Sequence, residues 1–189
     1  MKYIKKIKIE TVETFLDVKL LRNVVSIGFD VSMHSTGIAI IKMSDTYLTL
    51  EKIKTLTVPK KVNLLDGINI FLDQIDDFKE KMRQKYVIDF SIIEDCFFGQ
   101  NVNTLKALAR FGILIYDRFR GISKQITFLL PSPARSKIKF KKSAKNIKGQ
   151  ALKKEIVEYI NMALGLDLKI KDQDIADAIV LALAGIVEE

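Results

Sequence analysis

Two runs of this chain are apolar and rich in β-branched residues, and each stops at a carboxylate. Residues 24–30 read Val-Val-Ser-Ile-Gly-Phe-Asp and residues 88–94 read Ile-Asp-Phe-Ser-Ile-Ile-Glu, ending on Asp30 and Glu94. Runs of this kind form strands buried on both faces, so the fold must place helices on both sides of a sheet. A carboxylate at the end of such a strand is unfavourable unless something positive neutralises it. A third acidic place follows at Asp174 and Asp177, which open the last apolar segment. Three such places point to a shared cation. Hard divalent ions such as Mg²⁺ take carboxylate oxygens and keep waters, which suits phosphate chemistry.

Around the first run the pattern is that of an antiparallel meander. A turn at 31–35 leads from strand 24–30 to a second strand at 37–41, and a third covers 47–56. Pro59 breaks the pattern. Leu64, Ile68, Phe71, Ile75, Phe78 and Met82 then recur every three or four residues, an amphipathic helix with Asn63 as its N-cap. A fourth strand is expected at 87–94, a helix at 102–119, a fifth strand at 126–130 ended by Pro131 and Pro133, and helices at 150–164 and 173–187. Apolar residues spread round much of the 102–119 helix, so it must be covered on more than one side, by other elements or by a second subunit. Residues 1–22 read as a basic extension, either a strand plus a short helix or a partly ordered arm, ahead of one domain at 23–189. The expected fold is α/β: a five-stranded mixed sheet, three antiparallel strands then two parallel ones, flanked by helices on both faces.

Composition removes several classes. At 189 residues the chain can build a core without disulfides, and its single cysteine, Cys96, excludes an internal one. His34 is the sole histidine, so a zinc site built on His and Cys is excluded. No apolar run reaches the roughly 18 residues of a membrane span, and the Lys/Ile start lacks a signal-peptide core. An intracellular setting is expected (cytoplasm, nucleoid or a viral replication site), without secretion or membrane contact. A formal net charge of +8 favours an anionic partner. Nine Lys or Arg and no acid lie between Arg135 and Lys154. Beside a carboxylate cluster, that stretch reads as a track for a phosphate backbone.

Taken singly, each acid has an ordinary explanation: Asp30 as a turn residue, Asp174 and Asp177 as helix caps. Their conjunction with Glu94 carries the reading. Asp174 and Asp177 are three residues apart, on one face of a helix start where the dipole favours negative charge. Three segments bear a family resemblance. They are Ile27-Gly28-Phe29-Asp30 with Ser35-Thr36-Gly37-Ile38-Ala39-Ile40-Ile41, then Ile92-Ile93-Glu94-Asp95-Cys96-Phe97-Phe98 with Asn101, then Asp174-Ile175-Ala176-Asp177-Ala178-Ile179. In that order they resemble the motifs of RuvC-type Holliday junction resolvases of the retroviral integrase–RNase H superfamily. The resemblance covers residues 23–189.

The resemblance implies an RNase H-like sheet and a Mg²⁺-dependent endonuclease that resolves four-way DNA junctions by paired symmetric nicks, acting as a homodimer. It implies that Asp30, Glu94, Asp174 and Asp177 hold two ions flanking the scissile phosphate, with Mn²⁺ as a substitute. Phe97 matches the family's aromatic that stacks on an unpaired base, with Phe98 as the alternative. Lys153 matches its lysine at the penultimate helix, in a catalytic or a backbone-binding role, and Lys137 matches an earlier one. Arg135, Lys148 and Lys154 would complete the DNA contact. Two departures bear on the turn and on cleavage preference. Val31-Ser32-Met33 stands where the family has Pro-Gly-Ser, and residues 140–146 replace a Gly-rich segment. Other nucleases of this fold, acting on flaps or RNA–DNA hybrids, and a non-catalytic junction-binding protein are the competing readings.

Overall fold

Side-chain alternation lets one sheet support two cores. In the computed structural model, which describes residues 5–96, 102–144 and 146–188, six strands form a single sheet in the order β1-β4-β3-β2-β5-β6. They are β1 (Lys5–Lys8), β2 (Val25–Asp30), β3 (Ser35–Met43), β4 (Tyr47–Thr57), β5 (Ile88–Glu94) and β6 (Ser123–Leu129). β2, β3 and β4 make the antiparallel meander, and β5 and β6 run parallel to β2. These are the five expected strands, with β1 from the extension added at the edge of β4. Odd-numbered Val25, Ile27 and Phe29 of β2 enter one core, closed by α2 (Leu64–Lys85) and α3 (Val102–Phe119). The opposite core lies under α1 (Ile9–Leu16), α5 (Gly149–Leu164) and α6 (Gln173–Ala184).

The first core is built on phenylalanines. Phe29, Phe71, Phe78, Phe111 and Phe119 are essentially fully buried, and Phe29–Phe119 and Phe71–Phe111 meet edge to face at 4.8 Å. Truncating any of them to alanine costs about 3–5 kcal/mol. Asn63 caps α2 by accepting from the Asp66 amide, as its position predicts. Among the described residues, no helix is long and apolar enough to cross a membrane.

Three elements differ from expectation. β6 begins at Ser123 and not near 126, because its polar first residues hide it; the Ser123 hydroxyl meets that of buried Ser91 at 2.7 Å. Pro131 and Pro133, expected only to end the fifth strand, also start α4 (Pro131–Lys137), since a proline in a first turn withholds no needed donor. α4 is anchored by buried Ala134 and followed by buried Ile138. α6 stops at Ala184, and the chain beyond it pairs with the end of the extension, Leu21 N–H donating to Ile186 O and Glu188 N–H to Lys19 O.

The described part of that extension is tied in through its helix and its last residues. Its helix α1 packs on α5, with the Phe15 and Tyr159 rings 5.1 Å apart. Glu13, 7% exposed, accepts from the Leu20 amide at 2.8 Å and from both terminal nitrogens of Arg22 at 3.0 Å.

Candidate active site

Register and parity bring the first two acids together. β2 pairs with β5 so that Phe29 lies opposite Ile93, which leaves Asp30 and Glu94 as the next neighbours. Adjacent strands are about 4.8 Å apart. Asp30 follows the parity of Ser26 and Gly28, and Glu94 that of Ile92, so both side chains face α6. The sheet thus sets two carboxylates side by side at the C-terminal ends of its central parallel strands.

α6 supplies the other two, and glycines decide how closely it lies. A Cβ on Gly28 would sit 2.0 Å from the Ala178 carbonyl oxygen and 2.6 Å from the Ala182 amide; a Cβ on Gly37 would sit 2.1 Å from the Asp174 carbonyl oxygen. Only hydrogen fits at either place. The Ser26 hydroxyl adds a hydrogen bond to Ala182 O at 2.8 Å, and the helix meets the sheet with Ala176, Ala178 and Ala182, all fully buried. Because Gly37 is the β-partner of Asp30, the backbone of Asp174 is held beside the first acid.

The β2–β3 turn is ordered despite lacking Pro-Gly. The Ser32 hydroxyl accepts from the His34 and Ser35 amides, both at 3.2 Å, and the buried Thr36 hydroxyl donates to Ser32 O at 3.0 Å. The turn delivers Ser35, whose Oγ donates to Asp174 Oδ2. Asp177 accepts from Arg135 Nη2 at 2.9 Å. Neither partnership was expected from sequence. Nothing marks Ser35 beyond its place before Thr36-Gly37, and Arg135 sits in a segment with no acid of its own.

The electrostatics are those of a cluster short of positive charge. Asp30 is pushed well above its ordinary 3.8, first by desolvation, then by its hydrogen bond with Glu94 and by the charges of Glu94, Asp177 and Asp174. Glu94 is raised chiefly by desolvation. The hydrogen bond with Asp30 pulls it down, the charge of Asp177 pushes it up, and Arg135 and Lys153 pull it down. The Asp30–Glu94 pair therefore retains a proton above the usual carboxylate range. An all-oxygen donor set with unmet negative charge fits a hard divalent cation. Among the described residues, no three acidic, histidine or cysteine side chains are grouped so as to hold a metal ion. Two of the four carboxylates are instead engaged by Ser35 and Arg135.

The remaining expected residues divide by exposure. Lys153 and Lys137 are half-buried, and Lys153 is near enough to act on Glu94. Lys148 and Lys154 are exposed, the latter 3.7 Å from Glu158. Arg135, expected on the DNA track, lies in the acid cluster. Phe97, and its alternative Phe98, lie outside the described residues. Cys96 is a free thiol with no disulfide partner in the chain.

Comparison with known proteins gives a consistent match. The family model described as "Crossover junction endodeoxyribonuclease RuvC" matches residues 26–185. The RuvC protein of Dictyoglomus thermophilum is 23% identical over 163 residues, covering 86% of this chain and 96% of the relative. That of Fusobacterium nucleatum is 26% identical over 161 residues, covering 85% of this chain and 78% of the relative. Among solved structures, Thermus thermophilus RuvC in complex with a Holliday junction substrate superposes with a TM-score of 0.64 at 12% identity, over 85% of this chain and 91% of that one. At that identity the superposition speaks for the fold alone.

Proposed function

Because this chain belongs to the RuvC family of crossover junction endodeoxyribonucleases, we propose that it resolves four-way DNA junctions by paired symmetric nicks, with Asp30, Glu94, Asp174 and Asp177 as ligands for two Mg²⁺ ions. The observation that supports the site reading is the hydrogen-bonded Asp30–Glu94 pair at the ends of β2 and β5, with Asp174 and Asp177 of α6 near enough for their charges to raise the Asp30 carboxyl. When bound, divalent cations supply activation of the attacking water and neutralisation of charge at the phosphate. The protein's own part is to hold acidic oxygens at one end of a rigid sheet. Gly28 and Gly37 let α6 close on that sheet, and Ser35 orients Asp174.

Lys153, near enough to Glu94 to pull its carboxyl down, is the lysine we assign to the scissile phosphate or its neighbour. Exposed Lys148 and Lys154, with half-buried Lys137, supply backbone contacts along the approaching strand. Residues 23–189 act as the nuclease domain and residues 1–22 as an extension, of which β1 closes one sheet edge and residues 19–21 pair with 186–188. Work on DNA branches agrees with an intracellular site.

Cuts on opposite strands require two such sites related by a two-fold axis. α3 supplies a candidate surface, for Ile113 is 55% exposed and Tyr116 stacks on part-exposed Phe128 of edge strand β6. The test is cleavage of a synthetic four-way junction beside a flap and an RNA–DNA hybrid, in Mg²⁺, Mn²⁺ and Ca²⁺. Symmetric nicks on the junction, with Mg²⁺ or Mn²⁺ active and Ca²⁺ supporting binding alone, are expected. Preference for the flap or the hybrid would transfer the activity to another substrate class, and binding without cleavage in Mg²⁺ would remove it.

A further inference from the structure

Arg135 stands apart from the exposed basic residues of its segment. Lys139, Lys141, Lys142, Lys148 and Lys154 are exposed to solvent. Arg135 keeps only 19% of its side-chain surface, and its Nη2 lies 2.9 Å from an Asp177 that keeps 15%. α4 fixes it there, since neighbouring Ala134 is fully buried in the core beneath α6. Its Nε is buried without a hydrogen-bond partner. A buried pair with an unmet donor is a poor device for stability, because desolvation offsets most of the attraction. It serves another end: the guanidinium supplies positive charge to four crowded carboxylates, acting on Glu94 as well as on Asp177.

That service conflicts with cation binding. An Asp177 Oδ1 accepting from a guanidinium cannot offer the same lone pair to a divalent ion, which needs oxygens at about 2.0–2.6 Å. Two cations sharing one carboxylate oxygen also repel each other. We infer that Arg135 is a built-in counter-cation of the cluster, holding Asp177 in the metal-free protein and competing with the divalent ions for that carboxylate. The ligand set is thereby kept from closing until an ion displaces the guanidinium. This rests on the cluster being the cation site proposed above.

The experiment is a Mn²⁺ titration of the metal-free full-length protein, followed by electron paramagnetic resonance, for wild type, Arg135→Gln and Arg135→Lys. Asp30→Asn in each background shows that the signal belongs to this cluster. Arg135→Gln is expected to bind Mn²⁺ at least about tenfold more tightly, as removal of a cation within ion-pair distance implies. Arg135→Lys, which keeps the charge, stays within about threefold of wild type on the same grounds. Equal or weaker binding by Arg135→Gln would overturn the role given to Arg135 and leave the cation site standing. No Mn²⁺ binding by any form, or binding indifferent to Asp30→Asn, would overturn both.

A second readout needs no variant. Nitrogen NMR of the Arg135 side chain in wild type should shift as Mg²⁺ saturates the protein. An unchanged Arg135 signal at saturation refutes the competition.

Discussion

Replacing Gly37 with alanine separates the seating of α6 from the chemistry it delivers. The new Cβ would lie 2.1 Å from the Asp174 carbonyl oxygen and 2.5 Å from its carbonyl carbon, whereas ordinary contact begins near 3.4 Å. Both opposing atoms are backbone, so no side chain can swing aside and the first turn of α6 must retreat by more than about 1 Å, a displacement worth roughly 100-fold in rate when it strikes a reacting group. Overpacking of this kind also costs about 1–3 kcal/mol of stability, which a domain of this size tolerates. Gly37→Ala should therefore remain folded, bind junctions in Ca²⁺ near the parental affinity, and cleave about 100-fold more slowly under single-turnover conditions. Gly121→Ala, where nothing lies within 4 Å, is the matched control and should cleave normally. A Gly37→Ala protein that cuts at the parental rate would refute the claim that this glycine sets the position of Asp174. So would junction binding that falls as far as the rate.

Asp30→Asn and Glu94→Gln should each abolish cleavage while sparing junction binding, measured by gel shift in Ca²⁺. Parental cutting by either would remove that residue from the ligand set. Glu13 is raised by desolvation, but the hydrogen bonds of Arg22 and the Leu20 amide outweigh this and hold it below its ordinary 4.5. Its folded value being the lower one, its stabilisation is complete above the unfolded value and disappears as pH falls through the folded one. Glu13→Gln should accordingly lose about 1.5–3 kcal/mol in urea unfolding at neutral pH and progressively less in acid; a deficit independent of pH would contradict the ion pair. Ile113→Glu on the open face of α3 should yield a folded monomer by light scattering that no longer couples its two nicks. A dimer that persists would place the interface elsewhere.

The strands and their order of use were legible because burial on both faces leaves a continuous apolar signature, as in residues 24–30 and 88–94. The sequence shows two such runs ending in acid, and the parallel pairing of β2 with β5 is what brings Asp30 to Glu94. What escaped was set by tertiary partners. Ser123 and its polar neighbours join β6 through the Ser91 hydroxyl and the β5 ladder, which local propensity does not register. Pro131 signals the end of a strand and the start of a helix equally well, so the sequence shows the end of the fifth strand there and not α4. Arg135 looked like one more base in a basic stretch, because its acid lies 42 residues further along. The tight seating of α6 was foreshadowed by Gly28, Gly37 and its alanines, yet small residues alone do not say which surfaces they join.

The claim on which the rest depends is that Asp30, Glu94, Asp174 and Asp177 hold divalent cations. Crystals grown in Mn²⁺ and measured near its absorption edge test it directly. The account predicts anomalous peaks at the carboxylates of Asp30, Glu94, Asp174 and Asp177, with Asp177 turned away from Arg135. Manganese bound elsewhere, in protein that cleaves junctions in the same buffer, would contradict it.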